Sequence, residues 1–368
     1  MEFDPVSVGV VGCGAISDVY FEAGERFDAI ETVACADIDR ERARAKADEH
    51  GVPRACGVDE LFDDPAVEVA VVLTPPAVHA EVALDALRAG KHVYTEKPLA
   101  ATREAGAEIL ETADAAGLRV GVAPDTVLGT GIQSCRDVVD DGTIGRPVGA
   151  VASWSSPGHE RWHPNPDLYY ETGGGPLFDM GPYYLTALVH LLGPVRSVAG
   201  ATETPHDTRE ITSEPRHGET IDVEVPTHET GVVTFESGAT GTLLTSFDVQ
   251  ASELSGFEVY GTEGTLSVTD PNEFDGAPRV HLREADGGEW RELPVERDHP
   301  GQGRGLGVVD MARALRTDWD HRTSGAVGYH VLDVMAGLRE SAADAEYVDL
   351  SSTCERPEPL PDGFPEAR

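Results

Sequence analysis

The stretch Val93-Tyr94-Thr95-Glu96-Lys97-Pro98-Leu99 sets an acid and a base side by side at the end of an apolar run. A strand that ends on Glu96 and Lys97 presents both at the carboxyl edge of its sheet, where open α/β sheets bind ligands. Lys97 is conspicuous because Lys46 and Lys91 are the only other lysines. Its ammonium can donate to a substrate oxygen or exchange a proton with it; the plainer reading is a surface lysine in a loop shaped by Pro98. A second pair, Asp179 and Tyr183, lies four residues apart and therefore on one face of a helix. It follows Gly173-Gly174-Gly175-Pro176, a run that lets backbone approach a ligand and then sets a first helical turn. The plainer reading makes Asp179 an early-helix acid favoured by the dipole and Tyr183 a packing residue.

Both pairs need elements to place them. Residues 6–11 form a β-branched run that ends in Gly12-Cys13-Gly14-Ala15-Ile16-Ser17, a strand, a tight turn and a helix start. The pattern is G-x-G-x-x-S, with Ser17 where the dinucleotide fingerprint carries Gly or Ala. A second apolar run, 32–36, ends in Asp37, roughly twenty residues beyond Gly14, the spacing of a ribose-binding acid. A carboxylate there accepts from a 2′-hydroxyl and repels a 2′-phosphate, which favours NAD over NADP, against which Arg40 stands nearby. Otherwise Asp37 caps a helix over 40–50. Residues 67–73 read as a buried strand broken by Thr74-Pro75-Pro76. A helix over 78–89 closed by Gly90, a strand over 92–94, a helix over 104–115 and a strand over 118–122 follow. This βαβ rhythm predicts a parallel, doubly wound sheet.

Past residue 125 the pattern changes. The spacing predicts a helix over 127–140 and a strand over 148–155. The segment 157–166 is too rich in Gly and Pro for regular structure but carries His159, Trp162 and His163, and reads either as a substrate loop or as a folded surface loop. Alternating runs at 195–199, 221–225, 231–236, 240–247, 257–260, 265–268 and 280–283 predict antiparallel strands. Helices over 306–316 and 327–342 and a strand over 348–350 precede a polar tail. His330 faces either a site or the core.

At 368 residues, 40% of them hydrophobic, the chain has ample material for two domains. Its 66 acids against 28 bases give a formal charge of −38, which excludes a nucleic-acid footprint and repels anionic membranes. Acid spread along the whole chain points to a host of very high internal salt, where self-repulsion is screened. Five cysteines without metal-ligand spacing predict neither a zinc site nor a disulfide framework, and no metal. The start shows no basic and apolar leader and no run reaches membrane-spanning length, so the expected location is cytoplasmic.

The residues Gly12-Cys13-Gly14, Asp37, Thr74-Pro75 with His79, and Ala89-Gly90-Lys91-His92-Val93 leading to Glu96-Lys97-Pro98-Leu99-Ala100 resemble the Gfo/Idh/MocA oxidoreductases. So do Gly173-Gly174-Gly175 with Asp179 and Gly181. The family is named for glucose-fructose oxidoreductase and inositol dehydrogenase. The resemblance implies a Rossmann domain over 1–125, a substrate-binding and oligomerisation α+β domain with an open, mostly antiparallel sheet over 126–356, and a tail over 357–368. It also implies an NAD-dependent dehydrogenase acting on a hydroxyl of a sugar or polyol, forming a homodimer or homotetramer through the second sheet. Carried onto this chain, Gly12, Gly14, Ala15, Ile16, Asp37, Thr74, His79, Glu96 and Lys97 are the expected dinucleotide contacts. Lys97, Asp125, Trp162, His163, Asp179 and Tyr183 are the expected substrate contacts, and Lys97, Asp179 and Tyr183 the catalytic set. Tyrosine at 183 departs from the histidine of most members and resembles the glucose-fructose oxidoreductase branch, so the base is either Tyr183 with Lys97 as its electrostatic partner or Lys97 itself. A redox-assisted glycosidase or dehydratase and a cofactor-sensing regulator without catalysis are the alternative functions; Lys97 and Asp179 argue against the last.

Overall fold

A computed structural model describes residues 4–254, 256–283, 288–295, 303–317, 319–361 and 363–364. In chain order the elements are β1 (Val6–Val11), α1 (Ser17–Arg26), β2 (Ile30–Ala36), α2 (Arg40–His50), β3 (Ala55–Cys56), α3 (Val58–Phe62), β4 (Val69–Val72), α4 (His79–Arg88), β5 (His92–Thr95), α5 (Arg103–Ala116) and β6 (Val120–Val122). Then come α6 (Thr130–Asp140), β7 (Pro147–Ser155), α7 (Pro176–Leu192), β8 (Val195–Glu203), β9 (Thr208–Glu210), β10 (Thr220–Asp222), β11 (His228–Phe235) and β12 (Thr240–Ser246). The last are β13 (Phe257–Gly261), β14 (Gly264–Ser267), β15 (Arg279–Leu282), β16 (Arg291–Glu292), α8 (Leu306–Arg316), α9 (Gly325–Asp344) and β17 (Val348–Asp349). The described residues fall into two compact units, one from Met1–Gly129, Asp298–Tyr329 and Pro357–Arg368, the other from Thr130–Arg297 and His330–Arg356.

The first unit is a parallel sheet in the order β3-β2-β1-β4-β5-β6. All four residues of β4 are buried, as they must be in a strand covered by helices on both faces. Strand order reverses around β1, which puts the switch point of the sheet, and hence its ligand crevice, at the end of that strand. The short elements β3 and α3 escape sequence reading because five residues or fewer carry no usable periodicity.

The second unit is built on a nine-stranded sheet, β16-β15-β14-β13-β7-β12-β11-β8-β17. Every neighbouring pair is antiparallel except β7 and β12, which run parallel and therefore need the long crossover that α7 provides. α7 lies against β7, β11 and β12, and sixteen of its residues are buried. A separate two-stranded ribbon pairs β9 with β10. Its Ile211 and Ile221 sides close a small core with Tyr170 and Phe247.

The grouping differs from the linear division 1–125, 126–356 and 357–368. α8 joins the first unit because its start is tied to Asp125 and its far end to the beginning of β1. The tail does so because it is not uniformly polar: Leu360 and Phe364 are buried, the latter under the Arg313 guanidinium at 5.0 Å.

Candidate functional site

At the carboxyl edge of the first sheet the strand ends are laced into one line by main-chain bonds. Gly12 N donates to Ala36 O (2.8 Å), Leu73 N to Val11 O (2.8 Å), Glu96 N to Val72 O (2.9 Å) and Ala123 N to Thr95 O (2.9 Å). The turn after β1 needs glycine at 12, where φ is +98° and a Cβ would sit 2.9 Å from the Leu73 carbonyl carbon. At Gly14 an added Cβ would meet nothing within 4 Å, so this side of the turn is open. α1 begins just beyond, and its N-cap residue Ile16 offers no side-chain acceptor; Ala15 is exposed and Ile16 partly so. Uncapped N–H groups at a helix start beside an open glycine are a cradle for a pyrophosphate. The Thr74 hydroxyl, buried without a hydrogen-bond partner among the described residues, lies on the loop after β4. These features fit a dinucleotide.

Asp37 is buried and anchored. Its Oδ2 accepts from Cys13 N (2.9 Å) and its Oδ1 from Asp39 N (2.8 Å), so the carboxylate ties the glycine turn to the end of β2. It is not a helix cap, since α2 is capped by Asp39, which accepts from Glu41 N and Arg42 N. Arg40, read from sequence as the cation near Asp37, pairs instead with Glu60 at 2.8 Å; Arg42 is the one beside Asp37, at 3.6 Å. Ile38, 96% exposed next to Asp37, was not picked out by sequence reading.

Three expected ligand contacts turn inward. Glu96 is buried, accepting from Lys97 N (3.0 Å) and from the Tyr20 hydroxyl (2.9 Å), with Arg304 at 3.7 Å; it holds the Lys97 backbone. Burial first and the Glu96 charge second hold the Tyr20 hydroxyl protonated, its pKa well above the ordinary value. His79, 1% exposed, lies between two loops of the edge, with Nδ1 2.8 Å from Pro98 O and Nε2 2.6 Å from Thr74 O, one of which its single N–H can bond. Its pKa lies below the ordinary value because it is buried. Asp125 is fully buried, and its Oδ2 accepts from Gly305 N (2.8 Å) and Gly307 N (3.1 Å), which ties this expected substrate contact to the start of α8. The reason is local: α8 has glycine at its N-cap and borrows its acceptor from Asp125. Burial raises the Asp125 pKa to about 6. Lys97 itself is half-buried.

In the second unit Asp179 sits in the first turn of α7. That turn is fixed by Glu229, which accepts from Leu177 N (3.1 Å) and pairs with Arg339 (2.7 Å), while Arg339 also donates to Gly174 O (3.0 Å). Asp179 Oδ2 lies 2.9 Å from His159 Nε2, and the Trp162 indole N–H donates to His159 Nδ1 at 3.2 Å. The His159 ring is buried among Trp154, Trp162, Tyr169 and Phe247, with centroids 4.3–5.9 Å away. Its backbone is equally constrained. His159 N donates to the Tyr170 hydroxyl (3.1 Å), which donates to Glu160; Glu160 accepts from Arg209 (3.1 Å), and Arg209 pairs with Asp248. Gly158 before it has φ +109°, and a Cβ there would lie 2.2 Å from Glu160 Oε2.

Tyr183 is buried. His163 takes Asn165 N on Nδ1 at 3.1 Å, and burial lowers its pKa. Trp162 is 61% exposed. His330 belongs to the core: it is fully buried, accepts from Val195 N on Nε2 (2.9 Å) and faces Ser352 Oγ with Nδ1 (2.9 Å), and burial brings its pKa to about 4. The residue that sequence reading left undecided and the structure ties to Asp179 is His159; its only signal was the density of aromatic and polar groups in 157–166. Among the described residues Asp18, Glu49 and His50 come close enough to hold a cation, but Lys46 already pairs with both acids.

Residues 6–123 match the family model described as the oxidoreductase family, NAD-binding Rossmann fold, and residues 132–267 match the GFO/IDH/MocA C-terminal domain. The chain is 30% identical over 292 residues to 1,5-anhydro-D-fructose reductase of Ensifer adhaerens, covering 78% of this chain and 82% of that one. It is 27% identical over 330 residues to D-xylose 1-dehydrogenase (NADP(+)) 2 of Haloferax volcanii, covering 87% and 92%. Levoglucosan dehydrogenase in its apo form superposes with a TM-score of 0.84 at 22% identity, covering 96% of this chain and all of that one, a likeness of fold.

Proposed function

From the premise that the chain belongs to the GFO/IDH/MocA oxidoreductase family, we propose that it transfers a hydride between a hydroxyl-bearing carbon of a sugar or polyol and NAD. The observation that carries this is the open glycine turn at Gly12 and Gly14, tied to an anchored Asp37 at the switch point of the sheet. The names of the Ensifer and Haloferax relatives, a sugar reductase and a sugar dehydrogenase, support the substrate class. NAD when bound supplies the hydride acceptor. Gly12, Gly14, Ala15 and Ile16 would hold its pyrophosphate, Asp37 its adenosine ribose, and Thr74 a further hydroxyl. A buried acid at that ribose disfavours a 2′-phosphate, whereas Arg42 beside it is the residue through which NADP would be accepted; the name of the Haloferax relative carries NADP(+).

The chain's own residues then handle the proton. Tyr183, acting as its phenolate, would take it from the substrate hydroxyl and become the neutral phenol, Lys97 would supply positive charge and a hydrogen bond to the substrate, and Asp179 would orient the substrate. Trp162 offers an exposed aromatic face to the sugar, with His163 beside it. The test is turnover at 340 nm over a panel of sugars and polyols with NAD and NADP in molar KCl. Hydride transfer to NAD from at least one polyhydroxylated substrate is expected, and its absence with every pair overturns the reading. We also assign the protein to a saline cytoplasm and to a homodimer or homotetramer formed through the second sheet. The charge of −38 then makes the fold depend on screening: lowering salt from 1 M to 0.01 M lengthens the Debye distance from about 3 Å to about 30 Å. A fall in melting temperature is expected, and an unchanged one removes the saline assignment.

A further inference from the structure

An indole N–H only donates, so the Trp162 contact requires His159 Nδ1 to carry a lone pair. The ring proton therefore resides on Nε2, the nitrogen 2.9 Å from Asp179 Oδ2, and can only be donated to that carboxylate. A ring protonated at both nitrogens would set two N–H groups against each other at Trp162. The ring is held in place: among the described residues four aromatic rings pack around it, and its main chain is held through Tyr170, Glu160 and Arg209 down to Asp248, which also accepts from Thr227. The same loop and helix therefore fix both ends of the His159–Asp179 bond, the helix end through Glu229 and Arg339.

We infer that His159 is a positioning residue for Asp179, held in its Nε2–H form by Trp162, so that the bond to the imidazole fixes the orientation of the carboxylate on α7. The inference rests on the proposed role of Asp179. It explains how a helix with tyrosine at 183 still has an imidazole bonded to its acid, brought in from a loop 20 residues earlier in the chain rather than from the next helical turn. Trp162 acts through His159, not on the acid itself.

The relay can be read without turnover. In long-range ¹H–¹⁵N spectra of protein labelled at histidine, the resonances lost in His159→Gln identify this ring; the expected pattern is a protonated Nε2 and a bare Nδ1, and a proton on Nδ1 at neutral pH overturns the inference. In kinetics, His159→Leu should lower kcat at least ~10-fold with the KM for NAD unchanged. His159→Gln, whose amide can still donate to Asp179, should recover most of that loss. Trp162→Phe should lower kcat in the wild-type background but leave kcat unchanged in the His159→Leu background, the mark of a residue acting on turnover through another, while its face toward the sugar is read separately in KM. Equal kcat in His159→Leu and wild type, or equal loss in the Leu and Gln variants, overturns the inference. A wild-type protein inactive with every substrate fails the proposed function instead, and the spectrum still decides the relay.

Discussion

The two units prepare for their ligands in opposite ways. At the edge of the first sheet the surfaces offered to a ligand are largely main chain, and the polar side chains expected there, Glu96, His79 and Asp125, are consumed in bracing that backbone. In the second unit the backbone is a support and, on the proposed function, side chains would do the presenting: Asp179 and His159 are each fixed by a chain of ionic and aromatic partners. A dinucleotide has the same phosphates wherever it binds, and N–H groups at a helix start suffice for them. A sugar is recognised by the placement of its hydroxyls, which demands side chains of chosen length and charge.

The contrast can be broken most sharply at Tyr183. Tyr183→Phe should lower kcat by ~10²-fold or more with cofactor affinity intact, since a general base contributes on that scale. If only the sugar KM rises, the base is Lys97, and the side-chain chemistry belongs to the main-chain region after all. The next effect is expected at Gly14. Because an added methyl meets no protein atom there, Gly14→Ala should leave the melting temperature of the ligand-free protein unchanged while weakening NAD binding by ~10-fold or more, as measured by fluorescence titration. Unweakened binding would remove the turn from the cofactor site.

A third variant asks how far the first region is free of side-chain selection. Asp37→Ser should narrow the preference for NAD over NADP by about 10-fold in kcat/KM, by removing both the ribose acceptor and the repulsion of a 2′-phosphate. A wild-type preference for NADP would leave Asp37 as a tie for Cys13 and Asp39 and pass selectivity to Arg42.

The smallest effect concerns stability. His330 has its pKa at about 4 in the fold against an ordinary 6.5, so the unfolded chain takes up the proton first as pH falls. Its contribution is complete above pH 6.5 and is lost as pH drops toward 4, about 3 kcal/mol in all and about 2 kcal/mol by pH 5. Urea unfolding should show wild type losing that much more than His330→Gln between pH 7 and pH 5. Parallel losses would mean that His330 is no buried neutral group.

What the sequence determined by itself follows from local physics. The strand, glycine turn and helix at residues 6–17, the helix 40–50 and the buried run after Gly90 are set by periodicity, Gly conformations and chain reversal, so the parallel sheet and its ligand edge were legible. Asp37, Lys97 and Asp179 were legible because they stand at the ends of such elements. The tertiary structure alone decided which of two competing partners each polar side chain takes. Glu96 meets Tyr20 and Asp125 meets Gly305 and Gly307 across long sequence separations. Nothing local distinguishes a carboxylate that will face a ligand from one that will cap a distant helix. His159 is the converse case: in sequence it is one polar residue in an irregular loop, and only the packing of Trp162 on one nitrogen and Asp179 on the other gives its ring a single protonation pattern.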